Sequence, residues 1–296
     1  MRAVVTTSPG SIEIIDVDRP EPGAGQVRVR VEVASINPVD GGVVAGVFSE
    51  LGWIDQPDHI GLGWDASGVV DAVGPGVDTV RPGDRVAAFS NGVDKPLGAL
   101  AGFVVVPTDA VAPLPDALST QDAATFPLNG LTAIQALDLL GEPAGELLIT
   151  GAAGAVGGFA ATLAADRGWQ VLGLARASDR EFVESAGAAL VTALPDAPVD
   201  AVLDTAVLAT TALAAVRDGG RYVGVLPAAV PESVRGIDTA AITVQDNGIH
   251  LAQVIELAAS GRLAARHAAE FSLDDAPAAF AALGESGLRG RVTVRP

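Results

Sequence analysis

The sequence predicts an α/β chain in two parts, an antiparallel β-barrel followed by a doubly wound parallel sheet. Three observations carry that prediction. Up to about residue 120, short β-rich runs alternate with Pro/Gly punctuation and helical periodicity is scarce. From Ser119 onward, helix and strand patterns alternate with short links, as repeated βα units do. Between Glu146 and Arg176 a strand, a glycine turn, an apolar helix and a second strand follow one another as a βαβ unit.

In the first part, Ala3 to Thr7, Ile12 to Val17, Gln26 to Ser35, Gly68 to Val73, Arg85 to Phe89 and Gly102 to Val106 read as strands. They are separated by Glu21-Pro22-Gly23, Pro75-Gly76 and Arg81-Pro82-Gly83-Asp84. The run Val111-Ala112-Pro113-Leu114-Pro115 reads as a stiff connector. Ser119 offers an N-cap to a short helix that Pro127 stops, and Gly130 to Leu140 is a helix. Beyond the βαβ unit come a helix from Glu181 to Ala186, short strands at 189–191 and 201–204, a helix from Thr210 to Val216 and a strand from Arg221 to Leu226. A helix from Leu251 to Ala259 and a tail from Gly290 to Arg295 read as a return to the first part. The resulting domains are 1–120, 121–247 and 248–296.

The chain has 296 residues, enough for two domains with a substantial core. Its net charge of -18 argues against nucleic acid or an anionic membrane as a partner, because both need basic surface. There is no cysteine, which excludes disulfides and any thiolate metal site. The long uncharged run from Leu147 to Ala165 is interrupted by glycines and reads as strand, turn and helix rather than a membrane span. A soluble cytoplasmic protein is the expectation.

The glycine turn carries the chemistry. Gly151 lets the chain turn out of its strand, Gly154 lets backbone N–H groups approach a diphosphate, and Gly157 lets the helix pack close to the sheet. The backbone of Gly151, Ala153, Gly154, Ala155, Val156 and Gly157 would then hold the anion at a helix N-terminus. The plainer alternative is a turn that only packs helix on sheet. At the end of the next strand, Leu174-Ala175-Arg176-Ala177-Ser178-Asp179-Arg180, an NAD site would place an acid on the ribose 2′-hydroxyl. Here Arg176 can pair with a 2′-phosphate and Ser178 can donate to it, with Arg180 close by, so the cofactor expected is NADPH. Asp179 lies only a few residues on, and a solvated Arg176 is the alternative.

The order of these parts resembles the medium-chain dehydrogenase/reductase superfamily, and within it the zinc-free quinone oxidoreductase (zeta-crystallin-like) branch. The resemblance runs over nearly the whole chain. It rests on Ser35-Ile-Asn37-Pro38-Val-Asp40, Gly63-Trp-Asp65-Ala-Ser-Gly68, Val80-Arg-Pro-Gly83-Asp84-Arg85-Val86 and Pro127-Leu-Asn-Gly-Leu131-Thr132-Ala133. The glycine turn, Phe271-Ser-Leu-Asp-Asp-Ala-Pro-Ala-Ala-Phe280 and Gly290-Arg291-Val292 complete it.

The resemblance implies a GroES-like β-barrel catalytic domain joined to a Rossmann domain. It also implies a reductase passing hydride from NADPH to a quinone or to the conjugated C=C of an α,β-unsaturated carbonyl, in a cleft between domains, and a homodimer. Zinc-dependent relatives hold their metal with a cysteine and a Gly-His-Glu stretch; this chain has no cysteine and carries Gly63-Trp64-Asp65 there. His59, His250 and His267 lack ligand spacing. Asn37 is expected as a side-chain donor toward the nicotinamide ribose or substrate carbonyl, or else as a turn residue. Thr132 lies beside the nicotinamide by resemblance, or else is a helix-start hydroxyl. Phe48, Trp53, Trp64, Asn91 and Asn129 are expected to line the substrate pocket, although the aromatics could equally be core filler, and Asp65 reads as a helix- or turn-capping carboxylate, or else as a perturbed acid in the cleft. Leu226, after a later strand, joins the cofactor set. Tyrosines that relatives often carry near Asn37 are replaced by Gly42 and Phe48, so solvent is the simpler proton source. A cyclase or isomerase, or a non-catalytic dinucleotide-binding protein, is the alternative function.

Overall fold

The computed structural model of the chain describes residues 1–285 and 287–296. The chain divides into two compact units, 1–128 with 245–296, and 129–244. The first crossing falls in the opening turn of a helix, a few residues beyond the sequence-based boundary.

The first unit opens with β1 (Arg2–Thr6), β2 (Glu13–Asp16) and β3 (Gln26–Ile36). The helices α1 (Pro38–Val44) and α2 (Val47–Glu50) follow, then β4 (Ile60–Gly61), β5 (Asp65–Val73), β6 (Arg85–Phe89), β7 (Phe103–Pro107), β8 (Val111–Pro113) and α3 (Thr120–Ala123). Strand β3 is the spine of this unit. Val27, Val29, Val31 and Val33 recur at every second position and are buried, the period of a strand facing a core. Arg28, on the other face, is also buried, because Asp71 and Glu21 pair with it. One edge of β3 pairs with β5 along its length; the other edge takes β7 against Gln26–Arg30.

Three expectations here are corrected. The helices α1 and α2 were not legible, since Pro-Val-Asp-Gly-Gly-Val-Val has poor helix propensity. The first is secured instead by Pro38 in its opening turn and by Asp40 Oδ2, which accepts from the Asn37 N–H at 2.8 Å. The connector at 111–115 contains a strand, β8, at the edge of the sheet beside β6, where Pro113 costs no ladder bond. Pro127 does not merely stop a helix but opens the next one.

That helix is α4 (Pro127–Leu140), and it leads into the second unit. There β9 (Glu146–Thr150), α5 (Ala155–Arg167), β10 (Gln170–Leu174), α6 (Arg180–Ser185), β11 (Ala189–Val191), β12 (Val199–Asp204), α7 (Thr210–Leu213), β13 (Val216–Gly224) and β14 (Asp238–Ala241) follow. All pairings are parallel, in the order β11-β10-β9-β12-β13-β14. This is the 3-2-1-4-5-6 order of a Rossmann sheet, and its direction reverses between β9 and β12. The helix expected to reach Val216 ends at Leu213; β13 starts at Val216 and absorbs Gly219-Gly220 in a register shift opposite β12. Leu148, Val202, Leu213, Val216 and Tyr222 form the core on one side of this sheet.

The chain then returns to the first unit through α8 (Gly248–Ala259), β15 (His267–Ser272), α9 (Ala276–Leu283) and β16 (Arg291–Arg295). Strand β16 pairs antiparallel with the C-terminal end of β3. Among the described residues no helix is long and apolar enough to cross a membrane.

Candidate dinucleotide-binding site

In the second unit, β9 ends at Thr150 and the chain turns through Gly151, at φ +62°. Gly154 is exposed and caps α5 with no side-chain hydrogen bond. Its N–H donates to Gly151 O at 2.8 Å, closing the turn. Gly157 sits so close beneath that a Cβ there would lie 2.3 Å from Gly151 O. Ala153 is buried, and Ala155 and Val156 are half-buried on the same turn. A bare glycine cap at the start of a 13-residue helix, with strand and helix in direct backbone contact, is a cradle that fits a dinucleotide diphosphate.

At the end of β10, Arg176, Ser178 and Arg180 are all exposed. Arg176 makes no ion pair among the described residues. Arg180 is already paired, its Nη1 donating to Glu184 Oε1 at 2.6 Å, which weakens its claim as a cofactor contact. Asp179 occupies the N-cap position of α6, without a side-chain capping bond, and is half-buried. Leu226 is exposed just before a short turn at Pro227–Ala229.

The carboxyl ends of β9, β12 and β13 meet at a residue that sequence reasoning treated only as a strand end. Asp204 is 1% exposed and its carboxylate accepts from Thr150 Oγ1 (2.5 Å), Tyr222 OH (2.8 Å), Leu208 N (3.1 Å) and Ala209 N (2.8 Å). Burial, reinforced by the hydrogen bond to Asp204, pushes the Tyr222 phenol pKa up. The loop that follows holds Val207 at φ 56° and Ala209 at φ 50°, conformations that cost a non-glycine residue about 1–3 kcal/mol each. The general rule that ligands sit outside the carboxyl ends of strands at the reversal point could have flagged Asp204.

The first unit holds a second polar network. Asn37 is fully buried; its Nδ2 donates to Asp65 Oδ2 at 2.9 Å, and its Oδ1 accepts from Arg291. Asp65 Oδ1 accepts from the Leu128 N–H at 2.7 Å, capping α4. Asp40 bridges the N–H groups of Asn37 and Gly63. Lys95 donates to Gly63 O and Ser90 O, with its ammonium 4.9 Å from the Trp64 ring. Burial pushes the Asp65 carboxyl up to about 6, held down in part by Arg291 and Asn37. It likewise raises Asp40 and lowers Lys95 to about 8. Asn37 is therefore tied into a buried charge network rather than presented as a free strand-end donor. Asp40 and Arg291 entered the sequence reading only as parts of motifs and Lys95 not at all, because the contacts that join them into one network, to Gly63 and to Asn37, lie far off in sequence.

The aromatic cluster expected between 48 and 64 separates. Phe48 and Trp53 stack on each other at 5.7 Å, with Trp53 half exposed. Trp64 is buried against Phe89 and Lys95. Asn91 hydrogen-bonds Asp246. Asn129 and Thr132 are buried, three positions apart on one face of α4. Among the described residues no group of three or more His, Cys, Asp or Glu could hold a metal ion.

Comparison with known proteins agrees with this architecture. The alcohol dehydrogenase GroES-like domain matches residues 23–116, and the zinc-binding dehydrogenase domain matches residues 177–294. The dehydrogenase azaJ of Aspergillus niger is 33% identical over 64% of this chain, and the match spans only 58% of that protein's length. The 2-methylene-furan-3-one reductase of Solanum lycopersicum is 29% identical, covering 100% of this chain and 79% of its own. The quinone oxidoreductase from Coxiella burnetii superposes with a TM-score of 0.86 at 26% identity, covering 100% of this chain and 99% of its own. With these two domains in this order on this fold, the chain belongs to the medium-chain dehydrogenase/reductase superfamily of oxidoreductases.

Proposed function

We propose that this oxidoreductase is a zinc-independent, NADPH-dependent reductase acting on a quinone or on the conjugated C=C of an α,β-unsaturated carbonyl. The observation that carries the reading is the exposed, unpaired Arg176 with Ser178 at the end of β10, beside the bare glycine turn. An arginine there attracts a 2′-phosphate, where an acid would repel it. When bound, NADPH supplies a hydride from its nicotinamide ring. The turn at 151–157 seats the diphosphate, and Arg176 and Ser178 select the phosphorylated ribose.

Zinc independence rests on the donor set. Cysteine is absent, and both oxygens of Asp65 are committed to Asn37 and to the Leu128 N–H. Proton delivery falls to solvent, because the one phenol in the chain, Tyr222, is bound to Asp204. Asn37 then acts as a positioning residue through Asp65 and Arg291, and Thr132 and Asn129 remain the proposed polar contacts on α4. The two acceptor classes follow the named activities of the Coxiella and tomato relatives. Homodimer formation is also part of the proposal.

The test is isotope transfer. With NADPH carrying deuterium at both C4 positions, an enone product should carry one deuterium at its β-carbon, the other staying on the oxidised cofactor. An enone product reduced without deuterium at the β-carbon would rule out direct hydride delivery.

A further inference from the structure

The loop 205–209 follows β12 and packs against the glycine turn. A Cβ on Gly151 would stand 3.0 Å from Thr205 Oγ1 and 3.2 Å from the Ala206 Cβ. Thr205 Oγ1 donates to Thr150 O at 2.6 Å, and the Ala206 N–H donates to Thr150 Oγ1 at 3.0 Å. Beyond these two residues the loop is bent into a shape that non-glycine residues rarely adopt. Val207 is at φ 56° and Ala209 at φ 50°, ψ -119°. The Leu208 and Ala209 N–H groups are drawn onto the Asp204 carboxylate, which Tyr222 and Thr150 hold from the other side. Strain of this kind persists only where the surroundings over-determine it, and it concentrates at ligand clamps.

The position gives the strain a purpose. A Rossmann sheet carries two mononucleotide-binding halves that meet where the strand order reverses. The glycine turn and Arg176 belong to the β9–β10 half. The strained loop stands at the first strand of the other half, on the far side of the same glycine turn, with Val207 42% exposed at its crest. We propose that Asp204, clamped by Tyr222 and Thr150, is a positioning residue that locks loop 205–209 into the wall seating the nicotinamide half of the dinucleotide. This rests on the dinucleotide reading above and adds the residues that set the second half of the site.

Tyr222→Phe removes one donor to Asp204, and Thr150→Val removes the other together with the acceptor of the Ala206 N–H; both keep side-chain volume, and two independent variants guard against misfolding of either. Calorimetric titration with NADPH and with 2′,5′-ADP, which lacks the nicotinamide half, separates the two halves and counts intact sites. Each variant should bind NADPH roughly tenfold more weakly, the scale of one hydrogen bond to a buried charge. Binding of 2′,5′-ADP should change less than about twofold, since the clamp lies outside the adenosine half. Equal losses for both ligands, or unchanged NADPH binding in both variants, would overturn the positioning role. Failure of the unmodified protein to bind 2′,5′-ADP would remove the dinucleotide reading itself, and this inference with it.

Discussion

Gly157→Ala adds a single methyl group at the tightest point of the dinucleotide turn. The new Cβ would lie 2.3 Å from Gly151 O, 2.8 Å from Gly151 C and 3.0 Å from Ala152 Cα. All three are backbone atoms, so no side chain can swing aside. A tolerable carbon–oxygen contact is about 3.3 Å, so the turn or the helix must move by roughly 1 Å. Overpacking of this kind costs about 1–3 kcal/mol of stability. The same shift pulls the first-turn N–H groups out of hydrogen-bond range of the diphosphate. One lost bond to an anion is worth about 1.5–3 kcal/mol, or roughly 10- to 100-fold in affinity. The assay is calorimetric binding of NADPH, with thermal unfolding of the apoprotein alongside. Gly154→Ala is the internal control for stability alone. Its Cβ meets only Gly151 O, at 3.1 Å, and its φ of -78° suits any residue, so its unfolding temperature should fall much less, while its methyl, standing in the diphosphate cradle, should also weaken NADPH binding. Wild-type affinity in Gly157→Ala, or equal losses of stability in the two variants, would refute the close-packed turn.

Three further outcomes follow from the geometry. Arg176→Ala should weaken NADPH binding by roughly 10- to 100-fold, the loss of a charge-assisted pair, while NADH binding changes little; isothermal titration with both cofactors decides it, and equal loss would remove the 2′-phosphate assignment. Asn37→Ala should lower stability by about 2–4 kcal/mol, because Asp65 and Arg291 each lose a buried partner, while NADPH affinity holds. A variant that unfolds in urea like the wild type, yet turns over slowly, would return Asn37 to a donor role. Asp65, whose carboxyl titrates at about 6 against an ordinary 3.8, gives stability one component of its pH dependence. Protonation favours the folded state, so this contribution is full below 3.8 and lost as pH rises through 6; Asp40, also raised by burial, acts in the same direction. Asp65→Asn should flatten the slope of unfolding free energy against pH across that window, and an unchanged slope would contradict the assignment.

The parts legible in the sequence were those written in local chemistry. Glu146 to Arg176 declares strand, turn, helix and strand by periodicity and by its glycines; the two strands match to within a residue or two, while the helix starts at Ala155, inside the glycine turn and four residues before Phe159. Ser119 caps its helix as read, accepting from the Asp122 N–H at 3.0 Å. What escaped was fixed by distant partners. The helix α1 is a poor former that survives because Asp40 ties it to Gly63, and β8 exists because β6 offers an edge. Strand β14, only Asp238–Ala241, is too short and too plain to announce itself, and pairing with β13 defines it. The same limit governs the sites. Gly151, Gly154 and Gly157 carry their role in their spacing. Asn37 looked like a lone polar residue at a strand end, and only the fold shows Asp65 and Arg291 closing on it. Trp53 and Trp64 are close in sequence but lie in different environments, one at the surface and one under Lys95.

The most direct test of the proposed activity is the initial rate of NADPH consumption, with NADH in parallel, against naphthoquinones, benzoquinones and conjugated enones. Products would be identified by mass. NADPH-selective turnover yielding a quinol or a saturated ketone is the predicted result. Tight NADPH binding with no acceptor reduced, or turnover that prefers NADH, would contradict it.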